Sequence, residues 1–211
     1  MESMITLFAV AMTVALILFG SEIWWRVRHP NSEFSRKFIH VTVGTFVAFW
    51  PFFLSWEQIR FLALGFVVVI CVSKWFGIFR SIHSVQRPTW GEVFFALVVG
   101  LLTFVTHSKA IYTVSLLQMS LADGLAAITG VEYGKKFQYF VFGHAKSIVG
   151  SLAFLVTSWL LLFAYMQYTH DFVVAIVIIL PLVGMLIENL AVGGLDNLLV
   201  PLLFAVVLTN M

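Results

Sequence analysis

Apolar residues run along this chain in eight long stretches separated by short polar interruptions. The stretches cover about 4–25, 38–55, 59–79, 92–106, 110–130, 148–168, 172–190 and 195–210. A helix that crosses a bilayer needs about 20 mostly apolar residues. The pattern therefore predicts an all-α, polytopic integral membrane protein, a bundle of eight transmembrane helices. The fourth and eighth stretches are short for a span. With the eighth lying flat or re-entrant, seven spans remain and the loops hardly change. The connections are short, and neither an internal repeat nor a low-complexity tract interrupts them, so 1–211 reads as one transmembrane domain. The first stretch lacks a basic leader and ends in Glu22-Ile23-Trp24-Trp25-Arg26. It reads as a retained helix rather than a cleaved signal, which would end in small residues.

Composition agrees with the pattern. Apolar residues make up 61% and charged residues 10% of the 211, whereas a soluble domain carries about 25% charged residues. Such a chain has too little polar surface to coat a water-soluble globule. Cys71 is the one cysteine, which excludes an internal disulfide and a thiolate metal site. The net charge of +2 says little, but the placement of the charges says more. With the N-terminus outside, ten of the twelve lysines and arginines fall at the cytosolic face, leaving Arg60 and Lys109 outside. That bias is the positive-inside tendency. Four regions then share the cytosolic side: 22–40, 80–92, 123–151 and 188–201. One-sided clustering suits an enzyme that meets a water-soluble substrate from the cytosol and a lipid from within the bilayer. A transporter would place its site near the midplane. Nothing in the pattern points to nucleic acid. The compact chain suits a prokaryotic plasma membrane better than the endoplasmic reticulum.

The densest chemistry lies between Asp123 and Ser151. Asp123, Ala126, Gly130 and Gly134 recur at spacings of three and four, so they share one helix face. That face offers one carboxylate and otherwise almost no side chain, which admits a ligand or another backbone closely. Small residues at this spacing are also what packed membrane helices use. A carboxylate so far inside a membrane segment requires a metal, a base or a cation beside it. Lys135, Lys136 and Lys146 supply positive charge in the loop that follows. Ser147-Ile-Val-Gly150-Ser151 then opens the sixth stretch, where free N–H groups and the helix dipole favour phosphate. Glu188, Asp196 and Asn197 flank a Gly193-Gly194 turn, and oxygen donors of this kind suit magnesium. Arg36 and His40 are four residues apart on one helix face. Glu92 opens the fourth stretch after Gly91, and Glu22 is spaced to pair with Arg26. Together these parts read as a site for a magnesium nucleotide.

The order Asp-x-x-Ala-x-x-x-Gly-x-x-x-Gly followed by Lys-Ser-x-x-Gly-Ser resembles the membrane-bound CTP-dependent lipid-alcohol kinases. That family includes dolichol, phytol and farnesol kinases and the CTP-dependent diacylglycerol kinase of fungi. Arg36-Lys37-Phe-Ile-His40, Arg87-Pro-Thr-Trp90-Gly91-Glu92, and Glu188 with Asp196-Asn197-x-x-Val200-Pro201 extend the resemblance from about Glu22 to Pro201. It implies transfer of the CTP γ-phosphate to the hydroxyl of a lipid alcohol, with Mg2+. It implies Asp123, with Asp196 and Glu188, as metal ligands. Lys146, Ser147, Gly150, Lys135 and Lys136 would hold or attract the triphosphate, and Gly130 and Gly134 would admit the nucleotide. Asn197 and Glu92 would complete the nucleotide site, and Arg36 and His40 would contact phosphate or the acceptor. Asp123, His40 and Glu92 are the candidate bases. Phosphatidate cytidylyltransferases share the Asp-Ala-Gly-Gly run, but they continue to a Lys-Thr-x-Glu-Gly element where this chain has Lys-Ser-Ile-Val-Gly. A cytidylyltransferase, a small transporter and a scaffold without turnover are the alternatives. The lipid alcohol is not legible: polyprenol, phytol-type alcohol and diacylglycerol all present a primary hydroxyl.

Overall fold

The computed structural model describes residues 2–28, 32–76 and 90–211. Arg80, Arg87 and most of the region 80–92 lie outside the described residues. The fold is all-α and polytopic. Its helices are α1 (Glu2–Arg28), α2 (Ser32–Ala48), α3 (Trp56–Phe76), α4 (Gly91–Val105), α5 (Lys109–Tyr133), α6 (Ile148–Thr169), α7 (Val174–Leu190) and α8 (Asp196–Thr209). Within α1, α3, α5 and α6 lie segments long and apolar enough to cross a membrane, while α4, α7 and α8 are shorter apolar helices. The stretch expected at 38–55 is divided: α2 stops at Ala48, and a 3-10 turn, Trp50–Phe52, follows. Pro51 lies in that turn and has no N–H to continue the α-helical ladder.

Of the four long segments, α5 is the most enclosed. It packs against α2, α6 and α8, while α4 packs between α3 and α8. Tyr112, Leu116 and Met119 of α5 are fully buried with Phe154, Leu162 and Phe204. Two glycines bring α2 and α5 together. A Cβ on Gly44 would stand 2.5 Å from the Ser120 Cβ, and one on Gly124 would stand 2.2 Å from Val41 Cγ2. Backbone contact of this closeness is how small residues hold membrane helices together.

Midway along α5, residues Gln118–Ala122 form a π turn. The Asp123 N–H bonds the carbonyl of Gln118 rather than that of Met119. The Met119 carbonyl is instead met by His40 Nε2 at 3.2 Å. Wide turns of this kind are rare and gather at functional sites. Here it sits immediately before Asp123.

The charges divide between the two ends of the bundle. Arg60 bonds Thr103 and lies 4.2 Å over the Phe104 ring. Lys109 opens α5, about 20 Å of helix before Asp123 at 1.5 Å per residue. The carboxylates described next all occupy the other end.

Candidate active site

Three elements converge on Asp123. From α2, Lys37 Nζ donates to Asp123 Oδ2 at 2.6 Å, and His40 Nε2 lies 3.7 Å from the same oxygen. Lys37 and His40 are one turn apart, and the Gly44–Ser120 and Gly124–Val41 contacts press their helix onto α5. Because a carbonyl can only accept, His40 Nε2 carries the hydrogen that meets Met119, leaving Nδ1 as the ring acceptor.

The second element is a hairpin, β1 (Gln138–Val141) paired antiparallel with β2 (His144–Ser147), Gln138 opposite Ser147. Phe142 and Gly143 close it with φ of 47° and 78°, the all-positive pair that a two-residue hairpin turn of matching twist uses. Tyr139 and Lys146 are opposite each other and so share a face. Both reach α7. Lys146 Nζ donates to Glu188 Oε1 at 2.5 Å and to the Glu188 carbonyl at 2.8 Å. Tyr139 donates to Asn189 Oδ1 at 2.5 Å, and its oxygen is 2.7 Å from Ser151 Oγ.

The third element is the α7–α8 turn. Gly193 and Gly194 take φ of 66° and 92°, and a Cβ on Gly194 would stand 2.4 Å from the Gly91 Cα. Glycine is therefore required there twice over, for conformation and for space. The turn is tied to the start of α4 by Trp90 N–H to the Gly193 carbonyl at 3.0 Å. Asn197 Nδ2 donates to the Gly91 carbonyl at 2.9 Å. The turn thus delivers Asp196 to the same point as Glu188.

The result is a triad of acids. One oxygen each from Asp123, Glu188 and Asp196 lies within 4.8 Å of the others. Asp123 and Glu188 are buried. Three carboxylates face two paired lysines, Lys37 and Lys146. The donors are all hard oxygens, the set that suits Mg2+ rather than a thiophilic metal. Asp196 adds a third carboxylate beside the two lysine-paired acids, and clustered carboxylates favour a bound cation. The residues therefore fit a magnesium ion. Burial pulls the Lys146 ammonium toward neutrality, but the Glu188 carboxylate beside it, then Asp196 and Asp123, hold its pKa above the usual lysine value. It stays cationic.

A cavity of about 460 Å3 opens over the triad. Arg36, Lys37, Asp123, Gly130, Lys146, Ser147, Gly150, Glu188, Asp196 and Asn197 all contribute to its lining. Its size falls within the range of small-molecule sites. Other candidates lie elsewhere. Lys135 and Lys136 are exposed in the turn before the hairpin and do not line the cavity. Gly134 does not line it either; a Cβ there would stand 2.3 Å from Ser147 Oγ. Its smallness serves packing of α5 against the start of α6. Glu92 borders a different, smaller cavity. The N-terminus of α6 is also less free than the sequence suggests. Ser147 Oγ accepts from Gly150 N–H at 3.0 Å, and Ile148 N–H bonds the Phe137 carbonyl at 3.0 Å. Glu22 pairs with Arg26 at 2.8 Å, as their spacing predicts.

Lys37 has a larger part in the site than its sequence position suggests. A basic residue beside a span reads as a topology marker; only the Arg36-Lys37-x-x-His40 element, which resembles that of the lipid-alcohol kinases, hinted at more. Tyr139 and Asn189, which lock the hairpin to α7, carried no sequence signal.

Among curated proteins the chain is similar to phytol kinase of Synechocystis sp., with 31% identity over 195 aligned residues, covering 88% of this chain and 82% of that one. It is also similar to a protein named probable phytol kinase 1, chloroplastic, of Oryza sativa subsp. japonica. The identity there is 28% over 198 residues, covering 82% of this chain and 62% of the rice protein. No family model matches the chain. No solved structure matches it either.

Proposed function

Because the chain belongs to the phytol kinase family of membrane lipid-alcohol kinases, we propose that its acid–lysine cavity binds a magnesium nucleoside triphosphate, CTP, and phosphorylates a prenyl alcohol. The observation that carries this reading is the meeting of Asp123, Glu188 and Asp196 within 4.8 Å beneath a cavity flanked by Lys37, Lys146 and Arg36. Phosphoryl transfer asks mainly for positioning and charge neutralisation, and this site is built for both. The reaction forms a bond between the alcohol oxygen and the γ-phosphorus. The bond from that phosphorus to the bridging oxygen breaks, CDP leaves, and the hydroxyl proton passes to a base.

Asp123, Glu188 and Asp196 would hold Mg2+, which when bound neutralises phosphate charge. Lys146 keeps its positive charge and is set by the hairpin to face the phosphates across Glu188. Lys37 fixes Asp123 in place. Arg36 borders both cavities, the position from which a guanidinium reaches the transferring phosphoryl group. Ala126, Gly130 and Gly150 keep the cavity wall low. We place the site at the cytosolic face, on the strength of the one-sided lysines and arginines, and the protein in a prokaryotic plasma membrane.

The test uses purified protein in detergent with CTP labelled at either the α- or the γ-phosphate, against ATP, and a panel of prenyl alcohols. Label from the γ-position in the lipid, with release of CDP, is the expected result. Label from the α-position with release of pyrophosphate would instead identify a cytidylyltransferase. Nucleotide-independent flux in liposomes would identify a transporter.

A further inference from the structure

A second cavity of about 60 Å3 adjoins the first. Arg36 and Asn197 line both, so these two side chains form a shared wall. On the far side the lining turns apolar, with Val43 of α2, Phe66 and Ile70 of α3, and Phe95 of α4. His40 stands at the polar end, its ring 5.2 Å from Phe95 and set edge-on. The outer boundary is Leu18 of α1, a helix whose neighbouring Leu16, Phe19 and Ile23 are exposed apolar residues.

Asn197 supplies an independent observation. It is 4% exposed, and its Nδ2 donates to the Gly91 carbonyl. A carbonyl cannot donate, so the amide orientation is fixed. Its Oδ1 is then a buried acceptor with no partner among the described residues. A buried acceptor left unfilled costs stability, and what fills it must carry a hydrogen. An ionised phosphate oxygen has none to give; an alcohol hydroxyl has one.

We infer that this smaller cavity receives the hydroxyl end of the acceptor, a single-chain isoprenoid alcohol, and that Asn197 Oδ1 accepts its O–H. This rests on the kinase reading. One water-sized group needs about 10–15 Å3, so the 60 Å3 cavity takes about four to six such groups. That is the hydroxyl and the methyl-branched carbons next to it. It is too small for a glyceryl head bearing two acyl esters. The tail leaves past α1 toward the exposed apolar surface. The oxygen then faces the phosphate cavity across Arg36, and the chain is held by Val43, Phe66, Ile70 and Phe95.

Two variants test the assignment. Ile70→Phe narrows the slot and should raise KM for the prenyl alcohol about tenfold or more, with the KM for nucleotide unchanged. Phe66→Ala widens it and should raise kcat/KM for diacylglycerol relative to the prenyl alcohol by about tenfold. A wild-type enzyme inert toward every alcohol sinks the kinase reading itself. An active wild type whose acceptor constants ignore both changes, or whose nucleotide KM moves equally, overturns the acceptor site alone. If Ile70→Phe does not fold, Phe66→Ala decides by the same criterion.

Discussion

Replacing Lys37 by methionine probes the site at its most enclosed point. Lys37 Nζ and Asp123 Oδ2 are 2.6 Å apart, and the two side chains are 9% and 4% exposed. At an effective dielectric near 20 their gross attraction is on the order of 6 kcal/mol. Desolvation offsets much of this. Removing one partner is nonetheless expensive, about 3–5 kcal/mol, because the other charge stays buried and uncompensated. The neighbourhood makes matters worse, since Lys146 would then be the one paired lysine left beside three acids. Lys37→Met should therefore lose about 3–5 kcal/mol of stability in detergent. Activity should fall about 10–100-fold, as when the partner of a metal ligand is removed. Saturating Mg2+ should raise its unfolding midpoint more than that of the wild type. The double variant Lys37→Met/Asp123→Leu should recover most of the stability and none of the activity, because an apolar pair can replace a buried ion pair. Unfolding followed by circular dichroism and a kinase assay measure both. A Lys37→Met protein as stable and active as the wild type would refute the reasoning, as would a double variant weaker than the single one.

Glu188→Gln and Asp196→Asn should raise the Mg2+ concentration for half-maximal activity about 10–100-fold while leaving KM for the alcohol alone; a magnesium titration decides. Gly44→Ala forces a Cβ to 2.5 Å from the Ser120 Cβ. Overpacking of this kind costs about 1–3 kcal/mol, and a lower unfolding midpoint should accompany reduced turnover. Lys135→Ala and Lys136→Ala, at exposed positions, should change nucleotide KM by no more than a few-fold at physiological salt. The folded pKa of Lys146 is raised, so its pair with Glu188 contributes fully below the unfolded lysine value of about 10.4 and is lost only as pH rises through the higher folded value. A loss of activity well below that pH, present in the wild type and absent in Lys146→Arg, would contradict this.

The fold class was legible because long apolar runs have few other uses. The acid triad was legible because carboxylates next to membrane segments are expensive and demand a reason. Pairings were not. Sequence spacing put Lys37 among ordinary flanking cations, and only the glycine-mediated contact of α2 with α5 shows that it is buried against Asp123. The segment 138–147 read as a loop: its strands are four residues each, and Phe142-Gly143 is a weak turn signal beside the usual Asn-Gly. Ser147 and Gly150 looked like donors for phosphate, yet their hydrogen bond to each other caps α6. The second cavity left no trace in sequence, because its walls come from five helices whose order along the chain says nothing of their meeting.

The π turn at Gln118–Ala122 has a consequence for how this chain can vary. It sets the angular phase between the half of α5 packed into the bundle and the half bearing Asp123, Ala126 and Gly130. Were those five residues to relax to regular pitch with none removed, everything after them would swing through about 100°. Asp123 would then leave Lys37, His40 and the other two acids together. Dropping one residue from the same turn would straighten the helix without that rotation. Homologous chains are therefore expected to tolerate a single deletion at this point, and little tolerance is expected for a one-residue change of length just downstream of it.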